Sequence, residues 1–229
     1  ISTARAQLDQ GAALRPAQAQ FLQGEVLRQC DAVDGRSDGI INDPRQCHFD
    51  ASALACGASA STQCFSPEQI RALAQITRGP RDSSGRQVSE GYLLSGAEVG
   101  NPIPQLGWES WVFEGGPRRS SHAAFGGGIL RDFIENSSTD IASFNFDRDP
   151  ARIRDTAGRD LDVSPNLSRF FNRGGKLIIW HGWSDGAIPT QNSIAFYEDA
   201  LARSGSRASD SMRLFLAPGI QHCFGGPGM

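Results

Sequence analysis

A chain of 229 residues, 39% hydrophobic and 21% charged, is long enough to bury a core as one or two globular domains. Its net charge of -3 argues against nucleic acid as a partner, since phosphate binding calls for a clustered basic excess and the adjacent Arg118 and Arg119 are too short a run. No run of 18 apolar residues occurs, so no membrane span is expected.

The opening residues lack the apolar centre of a signal peptide, but a chain that starts on Ile1 reads as processed or cut from something longer, with any targeting signal upstream. Pro16 followed by Phe21, Leu22, Glu25 and Val26 at helical spacing predicts a first helix within 15–29. Next comes CDAVDGRSDGIINDPRQC, where Asp31, Asp34, Asp38 and Asp43 crowd around Gly35 and Gly39. Carboxylates this dense repel one another unless a cation neutralises them. Hard oxygen ligands suit Ca²⁺, the one cofactor expected, and the glycines let the chain curl around an ion. The spacing is not that of an EF-hand, and the competing reading is a wet loop of Asx-turns.

Cysteines stand at 30, 47, 56, 64 and 223, without CxxC spacing. Pairing of neighbours, Cys30 with Cys47 and Cys56 with Cys64, implies an oxidising compartment and hence a secreted or periplasmic protein; the alternative is five buried thiols. Cys223 is left over and asks for a partner outside this sequence.

Ser66, Pro67 and Gln69 are start signals for a helix ending at Gly79 and Pro80, with Ile70, Leu73 and Ile76 or Thr77 on one face. From 81 to 128 no period persists, which predicts irregular structure. A short helix is expected around ILRDFIEN, then a loop containing FNFDRDP, then a helix capped by Ser164 with Pro165 at its first position. KLIIWH and MRLFLAP read as strands buried on both faces, and PTQNSIAFYEDALARSG between them as a helix with Ile194, Tyr197 and Leu201 on one face. This is a parallel crossover, which makes the fold class α/β.

The loop after the first strand contains GWSDG, a match to the GxSxG nucleophile elbow. An elbow needs a helix immediately behind the serine, yet Pro189 puts the helix start about four residues late. A second match, GRSDG, has neither strand nor helix around Ser37. Ligand and catalytic groups of open parallel sheets gather beyond the strands' carboxyl ends. Asp185 and His222 occupy equivalent tips there, the acid and base half of a hydrolase triad, although such residues on loops can equally be solvated or structural.

The acidic loop, the cysteine pair in CGASASTQC, the segment GGKLIIWHGWSDGAIP and the ending LAPGIQHCFGGPG together resemble the tannase and feruloyl esterase family, which includes monohydroxyethyl terephthalate hydrolases. The resemblance implies an α/β-hydrolase with a large inserted lid that carries calcium in a disulfide-closed loop. On that pattern Asp31, Asp34 and Asp38 would bind calcium through side chains, and Arg36 and Ile40 through main-chain oxygens. Asp185 would be the triad acid, His222 the base and Ser184 a bystander, with the nucleophilic serine far upstream beside a cysteine that pairs with Cys223. Residues 1–163 would then be most of a loop-rich lid, with the calcium loop at 30–47, and 164–229 the C-terminal part of the catalytic domain. The missing N-terminal half would be its covalent partner.

The substrate implied is an ester of an aromatic acid, with Trp108, Trp111, Phe113, Arg118, Arg119 and Phe125 as candidate lid contacts. Two rivals stand beside this reading: a hydrolase that uses Ser184 itself, and a noncatalytic calcium-stabilised binding module.

Overall fold

The computed structural model describes residues 1–57, 63–113, 119–134 and 140–229. Helix α1, Pro16–Cys30, buries Ala19, Leu22, Val26 and Cys30 along one stripe, and α2, Pro67–Arg78, buries Ala72, Leu73 and Ile76. The capping box of α2 forms as the sequence implies: the Ser66 hydroxyl accepts from the Gln69 amide, and the Gln69 side chain accepts from the Ser66 amide. These helices share a core with Leu14, Phe65, Trp108 and Phe113. Each fully buried Leu or Phe there contributes about 1.5–3 kcal/mol of transfer free energy.

The cysteine pairing is the expected one, Cys30 with Cys47 and Cys56 with Cys64. Closing the longer loop, with 17 residues of separation, stabilises the fold by about 3 kcal/mol in the chain-entropy picture. Cys223 is free and exposed. In this chain an alkylating agent under non-reducing conditions is therefore expected to modify Cys223 and spare the other four, as read by mass spectrometry; labelling of Cys30 or Cys56 would contradict the pairing.

Helix α3 runs over Ser121–Phe133, starting well before the expected ILRDFIEN, with the Ser120 hydroxyl accepting from the Ala123 amide. It continues through Gly126, Gly127 and Gly128. Gly126 lies so close to Ile1 that an added Cβ would come within 2.7 Å of its side chain, so tertiary packing holds a turn that propensity disfavours. The expected FNFDRDP loop ends in a helix, α4, Asp149–Ile153, whose first residue Asp149 is ion-paired to Arg148 and Arg152. Helix α5, Ser168–Asn172, begins after Leu167 rather than at Pro165, because the Ser164 hydroxyl accepts from the Asn166 amide in a turn that precedes it.

Among the described residues the sheet is a single parallel pair, β1 over Leu177–Gly182 and β2 over Met212–Ala217, in register Leu177 to Met212 through Gly182 to Ala217. Helix α6, Thr190–Arg203, makes the crossover, with Pro189 as its N-cap rather than its first residue. The expectation that both strands are buried on both faces is corrected. One face packs Leu177, Ile179 and Met212 against Phe171, Tyr197, Ala200 and Leu201, while Ile178, Trp180 and Phe215 on the other are 69%, 55% and 57% exposed. The residue type asks for cover, and no described part of this chain supplies it.

Candidate active site

The two strand-end loops are laced together. The Trp183 amide donates to Ala217 O and the Ser184 amide to Ile220 O, at 2.9 and 3.0 Å. Only glycine fits at 182, where a Cβ would strike the Ile220 carbonyl. Immediately past His222 the chain turns at Cys223, with a left-handed φ of 63° that is uncommon outside glycine.

Asp185 and His222 thereby meet, with Asp185 Oδ2 accepting from His222 Nδ1 at 2.9 Å. With Nδ1 committed to the acid, Nε2 is the nitrogen left to take a proton. Asp185 is 6% exposed, and its Oδ1 accepts from the amides of Ala187 and Ile188 at 2.8 and 2.9 Å. Burial pushes its pKa up, but the hydrogen bonds from His181 and His222, then from the Ile188 amide, outweigh it and leave the carboxyl below its ordinary value. A recess of about 260 Å³ opens here, lined by Trp180, His181, Gly182, Asp185, Ile188, His222 and Cys223. A larger cleft of about 670 Å³ between Arg5, Arg78 and Phe144 holds no histidine, whereas the smaller recess sets two imidazoles beside a carboxylate.

Both loops are pinned from the rest of the chain. Gln221, fully buried, donates to Ala97 O and Val99 O at 2.9 and 2.7 Å and accepts from the Asn101 amide at 3.2 Å. On the acid side, Tyr92 Oη and His122 Nε2 both donate to Ala187 O, at 2.7 and 2.9 Å. A carbonyl can only accept, so His122 carries its proton on Nε2, and Nδ1 accepts from the Thr3 hydroxyl at 2.9 Å. Burial pushes the His122 pKa down to about 4, so the ring is neutral at pH 7.

Ser184 is 4% exposed, and its buried hydroxyl has no hydrogen-bond partner among the described residues. An activated nucleophile needs a base within hydrogen-bond reach. Among the lid candidates, Trp108 and Phe113 are core residues, Arg118 lies outside the described residues and Arg119 is exposed. Trp111 is the one that touches the site: its ring meets His222 edge-on at 5.7 Å between centroids and stacks on Phe125 at 5.7 Å.

In the acidic loop, Asp31 accepts from the Gly39 amide, Asp34 from the amides of Arg36 and Asn42, and Asp38 from that of Ile40. Gly35 and Gly39 take left-handed φ of 90° and 81°. The donor chemistry is that of a hard-cation site, but among the described residues no three His, Cys, Asp or Glu side chains are gathered as a metal group. Arg45 at the end of this loop lies 5.1 Å over the Trp183 ring, joining it to the Asp185 loop.

The profile of the family described as Tannase and feruloyl esterase matches residues 1–229. The chain belongs to the tannase and feruloyl esterase family. It is 33% identical to an uncharacterized esterase of Xanthomonas campestris pv. campestris over 95% of its length, and 31% identical to the mono(2-hydroxyethyl) terephthalate hydrolase of Piscinibacter sakaiensis over 93%. It spans 41% of the length of each of these relatives. In fold it is similar to feruloyl esterase B from Aspergillus oryzae, with a TM-score of 0.77 at 21% identity, covering 98% of this chain and 45% of that one. No helix among the described residues is long and apolar enough to cross a membrane.

Four residues of this tannase and feruloyl esterase chain escape a reading of the sequence: His181, Tyr92, His122 and Gln221. Only His181 leaves a trace, four residues ahead of Asp185. Tyr92 and His122 reach the acid loop across 95 and 65 positions, and Gln221, though beside His222, finds its partners 120 or more positions away; no local pattern encodes that.

Proposed function

We propose that the protein carrying this chain is a carboxylic ester hydrolase for esters of aromatic acids, acting through a serine, His222 and Asp185. The observation that carries the reading is the Asp185–His222 hydrogen bond of 2.9 Å between adjacent parallel strand ends, with the acid buried and held by two amides. The nucleophile is a serine upstream of Ile1, supplied by the N-terminal half that also covers Ile178, Trp180 and Phe215. A cysteine beside that serine would pair with Cys223.

The serine oxygen attacks the ester carbonyl as His222 Nε2 takes its proton, and the imidazolium hands that proton to the departing alcohol. Water then attacks the acyl-enzyme with the same imidazole as base, and the carboxylic acid and free serine are regenerated. Asp185 fixes the tautomer with hydrogen on Nδ1 and stabilises the transient cation. The Trp111–Phe125 stack beside His222 offers an apolar, π-rich wall for the aromatic ring of the acyl group. Two disulfides support a secreted or periplasmic location.

Labelling of the complete protein with a fluorophosphonate tests this. The probe is expected on the upstream serine and not on Ser184; modification of Ser184 would make GWSDG the elbow, and no modification at all would favour a calcium-stabilised binding module.

The same proposal gives residues 30–47 a structural calcium ion, held by the carboxylates of Asp31, Asp34 and Asp38 and the carbonyl oxygens of Arg36 and Ile40. The donor set and the two left-handed glycines support it, and binding would draw the three accessible carboxylates together. Calcium at 100 times its Kd is expected to stabilise the fold by about 2.7 kcal/mol, seen as a rise in Tm that Asp34→Ala abolishes. An equal calcium response in the variant would refute the site.

A further inference from the structure

We infer that His181 is a positioning residue for the catalytic acid: its imidazole and that of His222 share one oxygen of Asp185, and Ser193 sets its tautomer. This rests on the reading of Asp185 and His222 as acid and base.

His181 Nε2 lies 3.0 Å from Asp185 Oδ2, the same oxygen that accepts from His222 Nδ1 at 2.9 Å. Its other nitrogen, Nδ1, lies 2.8 Å from the Ser193 hydroxyl on the first turn of α6. An ionised carboxylate can only accept, so His181 Nε2 carries a hydrogen, and in the neutral tautomer Nδ1 accepts from Ser193. The His181 side chain is 11% exposed, on a β1 residue in register with Leu216 of β2. Asp185 therefore receives four donors, two amides on Oδ1 and two imidazoles on Oδ2, which use the four lone-pair directions of a carboxylate. None is left for water, and the carboxylate plane is fixed at the angle His222 needs.

A part-buried histidine suits this position. A lysine or arginine in its place would cancel the acid's charge, whereas a neutral N–H orients the carboxylate and leaves that charge to stabilise the His222 cation. The hydrogen bond from His181 is among the influences that hold Asp185 in its ionised form. The other titratable groups around the acid are His222 and Cys223 on the β2 loop, and Tyr92 and His122, which reach it through Ala187 O. His122 is neutral, so its charge does not compete.

The test compares His181→Leu, His181→Gln and Ser193→Ala in the complete protein, with Asp185→Asn alongside, on one aromatic ester across pH. Loss of the donor in His181→Leu is expected to lower kcat about 10- to 100-fold with KM unchanged, the range seen when a group that orients a functional ligand is removed. The acid limb of kcat/KM should move to higher pH, because the undivided carboxylate charge favours the protonated base. His181→Gln, which keeps an N–H donor, should restore most of kcat and return the limb. Ser193→Ala, which leaves the imidazole in place, should shift kcat and the limb the same way by less, and it carries the test if the leucine variant fails to fold.

A folded His181→Leu with parental kcat and pH limb overturns the inference. So does a lost kcat with an unmoved limb that glutamine does not rescue, which is the behaviour of a packing residue. If Asp185→Asn is itself fully active, the acid assignment fails and not merely the role of His181.

Discussion

Replacing His222 with alanine in the protein that carries this chain is expected to lower kcat on aromatic esters by about 10⁶, because removing the base of a serine triad costs nearly as much as removing the whole triad. The reason is local. On the proposed mechanism, with Nδ1 fixed on Asp185 at 2.9 Å, the remaining ring nitrogen of His222 serves as the base, and alanine would leave the serine proton without an acceptor. KM should change little, since His222 on the proposed mechanism moves a proton in the transition state rather than holding the ester. The His222 ring also leans on Trp111, so the variant's fold is to be checked by its Tm before kcat is read. A drop of less than tenfold in a folded variant would remove His222 from the chemistry.

The second large effect belongs to Asp185→Asn, expected to cost about 10⁴ in kcat. Asparagine is nearly isosteric and can still accept at one atom. Its amide nitrogen, however, can only donate, and in place of Oδ2 it would face two imidazole N–H groups that also donate. His222 is then driven to the tautomer that cannot act as base, and His181 loses its acceptor as well. Ser184→Ala should be nearly silent by comparison, since among the described residues no hydrogen bond reaches its hydroxyl. The reverse ranking, with Ser184 crippling and Asp185 mild, would make GWSDG an elbow after all. The acid also links folding to pH. Its native pKa lies below the unfolded value near 4, so its contribution to stability is present above about pH 4 and is lost as pH falls through the native pKa. His122 works in a higher window. Its pKa is pushed down to about 4 by burial, so stability falls as pH drops from about 6.5 toward 4, when the unfolded chain takes up a proton that the native ring refuses.

What the sequence makes legible is whatever is encoded within a few residues. Ser66 and Gln69 announce α2 because both hydrogen bonds of the capping box are local. KLIIWH and MRLFLAP announce two strands and a crossover, and the rule that chemistry sits beyond strand ends points to Asp185 and His222, which the structure brings within 2.9 Å of each other. What is hidden depends on distant partners. The glycine run in α3 reads as a loop until Ile1 is found packed on Gly126. One face of β1 and β2 is apolar in composition and open to solvent here, so composition records a need for cover rather than its presence. His181 stands in plain view beside the motif, yet a histidine inside a strand reads as core, and only the shared oxygen of Asp185 gives it a role.

The buried side chain of Gln221 has a consequence for recombining members of this family. It stands next to His222 and makes three hydrogen bonds to residues 97–101, and the Asn101 carbonyl accepts from the Gly226 amide. A chimera that exchanges the region around residues 90–125 for a relative's, in order to transplant substrate preference, cuts through that lattice and through the Tyr92 and His122 anchors on Ala187. Where the donor's turn does not match the acceptor's glutamine, the expected result is a displaced His222 and a lower turnover rather than the intended change in selectivity. Crossover points in such grafts therefore belong on either side of a composite block, in which the 97–101 turn, the 185–188 loop and the 219–226 loop travel together.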